Sequence, residues 1–233
     1  MSNVSFFAKD YQIDSFPHPQ VASKFIPKYY KSCPQQNGDN PENSTVKRCI
    51  PFLDALTKGF IIPLWADCRV EAKDGIINIQ FPSNLKMAES LGHHTIEQIP
   101  DHPLSNCKYG KIPLKFFNPW VIQTPKGYSC LITSPFNHME TKFKILDAII
   151  DTDTYYNMIN FPFIWTGGDG DFLLPKGMPI VQVIPFKRED FKSKVSKIDE
   201  QKLLTTQSKL GTFLKNKYRR LFWHKMENKN EKY

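Results

Sequence analysis

The stretch Ile145–Trp165, "ILDAIIDTDTYYNMINFPFIW", decides how this chain is read. Three acids, Asp147, Asp151 and Asp153, stand inside an apolar run, and Tyr155 and Tyr156 follow at once. One reading is strand, turn, strand: the side chains of "DTDT" satisfy local backbone groups, and Phe161, Phe163 and Trp165 supply core. The other is a carboxylate site beside an aromatic lid. On that reading one of Asp151 and Asp153 faces a pocket and the other lies in the turn.

The flanks extend the strand pattern. Upstream, "PLKFFNPWVIQTPKGYSCLITSPFN" reads as two strands joined at Thr124-Pro125-Lys126-Gly127, with Pro at i+1 and Gly at i+3. Downstream, "TGGDGD" is a turn cluster, and "FLLPKGMPIVQVIPFKRED" is a turn followed by a strand. Earlier still, "LDALTKG" suggests a single helical turn ended by Gly59. "GFIIPLWADCRV" is strand-like, and Asp74-Gly75 is a hairpin signal before the alternating "IINIQF". The 18 prolines and 18 phenylalanines argue against a helical bundle. The expected fold is therefore mainly β, an antiparallel barrel or sandwich. Three regions follow: an irregular N-terminal arm over 1–45, a β domain over 46–188 and a basic helical tail over 189–233.

Charge is confined to one end. From Lys187 to Tyr233 there are 14 Lys+Arg against 6 Asp+Glu, which accounts for the whole net charge of +8 and leaves the body neutral. Basicity is thus weak support for nucleic-acid binding by the β domain. The tail, with Leu210, Phe213, Leu214, Leu221 and Phe222 among its cations, suits packing on the body or a homo-oligomer contact. Nucleic acid or an anionic surface is the less favoured partner. No apolar run reaches the roughly 20 residues of a membrane span. The N-terminus has no signal-peptide pattern, and Cys33, Cys49, Cys68, Cys107 and Cys130 form no CxxC. A cytoplasmic protein with reduced thiols is expected.

Two resemblances add to this. "SPFN" (Ser134–Asn137), "AIIDTDTYYNMINF" (Ala148–Phe161) and "LLPKGMPIVQVI" (Leu173–Ile184) together resemble the dUTPase and dCTP deaminase superfamily, whose fold is a β-clip. That resemblance implies a β-clip-like strand order. It also implies that Asp151 contacts a sugar and activates water, that Tyr155 or Tyr156 stacks on deoxyribose, and that Gly177, Ile180 and Gln182 match a G-x-x-I-x-Q element. The departures are specific. Ser134 lacks the preceding Arg and following Gly, an extra residue separates Asp153 from Tyr155, Asn157 stands near an expected Gly, and the Gly-rich C-terminal arm is absent. Over about Val46–Arg188 the chain also looks like an uncharacterised family of tailed phages and bacteria. The shared pattern is R-C-x-P, T-P-x-G-Y-S-x-L, D-T-D and G-x-P-x-x-Q. That family implies kinship and, in a phage, a host-cytoplasmic location, but no activity.

The leading functional reading is small-ligand binding, nucleotide-like or sugar-like, by Asp151, Asp153, Tyr155, Tyr156, Asn137 and Gln182. The alternatives are a dUTPase-like nucleotide pyrophosphatase and a structural or host-interaction protein without catalysis. Catalytic residues are unassigned. His93, His94 and His102, with Glu97 and Asp101, match no metal-ligand spacing, so no metal and no cofactor are expected. A Cys49 or Cys130 nucleophile paired with His138 is the weakest candidate.

Overall fold

The computed structural model describes residues 3–38, 44–85, 87, 90–95, 98, 108–109, 113–139, 142–211 and 217–224. The chain divides into two compact units, Met1–Pro27 with Ala55–Arg188, and Lys28–Asp54 with Glu189–Tyr233.

The first unit is antiparallel β. β1 (Ser5–Phe7) pairs with β8 (Val121–Gln123). β10 (Phe143–Ile145), β12 (Phe161–Trp165), β7 (Leu114–Phe116) and β6 (Leu91–His93) lie in that order in a second sheet. The third runs β11 (Ala148–Ile150), β9 (Tyr128–Thr133), β14 (Pro179–Lys187), β3 (Phe60–Pro63) and β2 (Gln20–Val21). β13 (Gly170–Leu174), β4 (Cys68–Lys73) and β5 (Ile76–Gln80) make the fourth. Every named pairing is antiparallel, and no closed barrel forms among the described residues.

Alternation explains the burial. In β4, Cys68, Val70 and Ala72 point inward while Arg69 and Lys73 are exposed. The aromatic residues of the decisive stretch become core: Phe163 is fully buried and stacks on Phe116 with ring centroids 4.2 Å apart. Phe143 meets both rings edge-on at 5.4 Å. Hydrophobic burial, proportional to the apolar area withdrawn from water, is the main force here.

Turns place the strands. Asp74 and Gly75 both have positive φ (50° and 83°), the I′ geometry that joins β4 to β5. The turn near Pro125 differs from the sequence reading by one residue. Tyr128 N–H donates to Pro125 O, so Pro125 is position i and Gly127, at φ 85°, is i+2. A type II turn needs positive φ at i+2, and that requirement outweighs the preference for Pro at i+1. β8 and β9 flank this turn without pairing to each other. The expected single helical turn before Gly59 is longer, an eight-residue helix α3 (Ile50–Thr57).

The lead-in, read as irregular, carries α1 (Asp10–Ser15) and α2 (Lys28–Ser32) as well as β1 and β2. In the second unit, Tyr30 of α2 stacks on Phe52 at 5.8 Å, and Lys47 Nζ lies 4.7 Å over the Tyr30 ring while donating to Tyr30 O. Tail residues 189–199 have no regular structure and precede α4 (Glu200–Gly211) and α5 (Lys217–Leu221). Trp223 Nε1 donates to Asp54 at 2.9 Å. Of the apolar tail residues, Leu210 and Leu221 are about half exposed and Phe222 is partly buried, while Phe213 and Leu214 lie outside the described residues. No described helix is long and apolar enough to cross a membrane.

Candidate functional site

Asp151 and Asp153 sit in a single tight turn just past β11, whereas Asp147 precedes that strand and accepts the Thr133 hydroxyl at 2.6 Å. Thr152 N–H donates to Ile150 O, and the amides of Thr154 and Tyr155 both donate to Asp151 O (3.1 and 2.9 Å). Thr152 is buried and anchors the turn: its hydroxyl lies 2.8 Å from Thr124 Oγ1 and 3.3 Å from Cys130 Sγ.

Asp153 points inward, its side chain 2% exposed, and is held on two sides. Gly127 N–H donates to Oδ2 at 2.8 Å. Arg188, at the end of β14, donates through both terminal nitrogens, to Oδ1 at 2.9 Å and Oδ2 at 2.5 Å. That fork holds the carboxyl at about 2, with the Gly127 amide adding to the effect. Arg188 also donates to Ser129 Oγ (3.1 Å) and lies 3.1 Å from Asp151 Oδ1, which accepts the Ser129 hydroxyl at 2.6 Å. Four separated segments are thereby tied together: the Pro125 turn, the start of β9, the Asp151–Tyr155 turn and the end of β14.

The outward side of the same turn is open. Asp151 is 60% exposed at its side chain, and Tyr155 and Tyr156 are 48% and 62% exposed. The Tyr156 ring lies 5.8 Å from Phe7, and Asn157 Nδ2 donates to Tyr155 OH at 3.2 Å. Of the two acids, Asp153 is the turn residue and Asp151 the outward one.

Asn137 and Gln182 belong elsewhere. Gln182 is buried, its Oε1 accepting from Phe136 N–H (2.7 Å) and its Nε2 donating to Ala55 O (3.0 Å) and Lys58 O (2.7 Å). It therefore satisfies carbonyls at the C-terminal end of α3, which an isolated helix leaves open. Register puts Gln182 opposite Thr133, whereas Ile150 lies opposite Cys130; Gln182 and Asp151 are about 13 Å apart along β9 at the usual rise. Asn137 follows Phe136 in a bend at φ 58°. Ser134 Oγ accepts from Ile145 N–H at 2.9 Å, a backbone role as well.

His93 ends β6 exposed, and His94 Nδ1 contacts Gln98 Oε1 at 2.5 Å; His102 lies outside the described residues, as do Glu97 and Asp101. No group of three His, Cys, Asp or Glu is placed to hold a metal among the described residues. Cys130 is buried, and burial raises its thiol, which suits packing rather than nucleophilic attack.

No protein-family model matches the chain, and no curated protein is similar to it. Among solved structures it is similar to a mutant dUTPase of Staphylococcus bacteriophage 80alpha bound to dUpNHpp, at 12% identity and a TM-score of 0.33, over 78% of this chain and 88% of that one. A mutant dUTPase from phage phi11 of S. aureus, described with a structural Mg(II) ion, has 10% identity and a TM-score of 0.33, over 79% and 99%. So loose a likeness transfers no residue role.

Sequence reading missed Arg188 and Ser129. The available signal was a lone arginine ending a long apolar strand, in "PFKRE", with "GYSC" after a Pro-Gly turn.

Acid stability tests the clamp. The folded Asp153 carboxyl lies near 2 against an ordinary 3.8, so its contribution is complete above about pH 4 and is lost as pH falls toward 2. Melting temperatures measured from pH 5 to pH 2 should fall more steeply for the native chain than for Arg188→Met. Parallel curves would show that Asp153 is not stabilised by Arg188.

Proposed function

We propose that this chain binds a small hydroxyl-bearing ring compound, nucleoside-like or sugar-like, on the face presented by Asp151, Tyr155 and Tyr156. The observation that carries the reading is the division of labour within one turn. Asp153 and Arg188 neutralise each other and fix the backbone, while an acid and two aromatic rings are left facing water on that fixed support. Rings with exposed faces stack on sugars and bases, and a carboxylate accepts from ligand hydroxyls. Rigid placement lowers the entropy cost of capture.

Binding is favoured over nucleotide pyrophosphatase chemistry by electrostatics. A triphosphate needs uncommitted cations or donors, but the guanidinium beside this turn is taken by Asp153 and lies against Asp151. Half-exposed Phe7 and Met158 widen the same face and favour a protein-contact role as the second reading.

A thermal-shift screen with nucleosides, nucleotides and sugars tests the proposal. A ligand at about 100 times its dissociation constant should add roughly 2.7 kcal/mol of stability. Asp151→Asn should remove most of that gain while costing the unliganded protein no more than about 1 kcal/mol, because the exposed pair with Arg188 is lost but the amide oxygen still accepts the Ser129 hydroxyl. A panel with no stabilising compound, beside self-association or peptide capture abolished by Tyr156→Ala, would favour the protein-contact role.

A further inference from the structure

The second unit holds a cavity of about 390 Å³ that the ligand face does not use. Its lining includes Arg48, Arg219, Ser44, Thr45, Cys49 and Tyr218. We propose that this cavity is a phosphate-binding site for a small phosphorylated ligand, held between the guanidinium groups of Arg48 and Arg219.

Four of the five arginines, Arg220 being set aside as a control, fall into two groups. Arg69 is forked onto Asp171, and Arg188 onto Asp153. Arg48 and Arg219, by contrast, have no carboxylate partner among the described residues. Arg48 Nη1 donates to Ser44 Oγ at 3.0 Å, which positions the guanidinium and leaves its other donors for a ligand. Arg219 stacks 5.5 Å over the Trp223 ring, and Trp223 is in turn tied to Asp54. The nearby acid is thereby used to hold the ring beneath Arg219. Guanidinium groups pair with phosphate oxygens through planar, bidentate hydrogen bonds, and the Ser44 and Tyr218 hydroxyls lining the cavity add neutral donors.

The surrounding charge has the right sign. Lys28–Asp54 and Glu189–Tyr233 together hold 16 Lys+Arg against 9 Asp+Glu, nearly all of the excess in the chain. An excess of that sign draws anions to this unit as a whole. Its volume falls in the range of small-molecule sites, roughly 300–1,000 Å³. Arg48 and Arg219 are the two cations among the described residues of the lining, which suits one phosphate group rather than a run of backbone phosphates.

Cys49, an exposed thiol in the lining, reports occupancy directly. Full-length protein would be alkylated with iodoacetamide in the presence of pyrophosphate, and the Cys49 peptide followed by mass spectrometry. Pyrophosphate at about ten times its dissociation constant should slow Cys49 alkylation about tenfold. Arg48→Gln with Arg219→Gln should weaken that protection at least about tenfold, whereas Arg220→Gln and Asp151→Asn should retain it. The Asp151→Asn arm separates this site from the ligand face. No protection by pyrophosphate would overturn the proposal, even if an oligothymidylate protected Cys49 at low salt. Protection that survives in the double variant would overturn it too.

Discussion

Phe163→Ala is expected to destabilise the protein by about 3–5 kcal/mol, the usual cost of deleting a buried aromatic ring. Phe163 lies in the middle of β12, between Ile145 of β10 and Leu114 of β7 in register. Its ring is completely buried and is one of a three-ring cluster, stacked on Phe116 at 15° and met edge-on by Phe143. Close packing on three sides leaves little room for collapse, so the cavity term adds to the lost transfer energy. Phe163→Leu, which keeps most of the volume, should cost less than half as much. Ile149→Ala, at a side chain 66% exposed, should stay within about 0.5 kcal/mol. Urea unfolding is the appropriate measurement, with the midpoint shifting and the slope unchanged. A loss below about 1 kcal/mol for Phe163→Ala would mean that the second sheet is not built around this cluster.

Gln182→Leu should be nearly as damaging, at about 3 kcal/mol or more, for a different reason. The side chain is close to an isostere in volume, so little packing is lost. What disappears is the amide that serves Phe136 N–H and the carbonyls of Ala55 and Lys58. Each buried group left unpartnered costs roughly 1–3 kcal/mol. If Gln182 instead held a ligand, the variant would keep its unliganded stability and lose ligand stabilisation. The two outcomes separate a bracket for α3 from a binding residue.

These residues show where sequence reading succeeds and where it stops. Asp74-Gly75 was legible because a two-residue turn needs positive φ at both positions and only a few residue types allow it. The β character of Ile145–Trp165 was legible for similar local reasons. Non-local partners were not. Asp153 is 35 residues from Arg188, and Gln182 is more than 120 from Ala55 and Lys58. Nothing in the spacing announces either pairing, because strand order alone brings β14 beside β9 and β3. For the same reason Gln182 and Asn137 were grouped with Asp151 although the register sets Gln182 well apart from it. The tail's apolar residues were read as packing on the body or as an oligomer contact; of those described, Leu210 and Leu221 are about half exposed and Phe222 is partly buried.

The central claim is that the turn Asp151–Asn157 is a fixed recognition face. Amide hydrogen exchange, with and without the strongest stabilising compound from the thermal-shift screen, tests it most directly. The amides of Thr152, Thr154, Tyr155, Tyr156 and Asn157 already have backbone acceptors within the turn, so they should exchange slowly in the free protein and more slowly when liganded. Added protection confined to this turn and to β1, where Phe7 adjoins Tyr156, is the predicted result. Fast exchange throughout the turn in the free protein, or ligand protection only at other segments, would contradict the account.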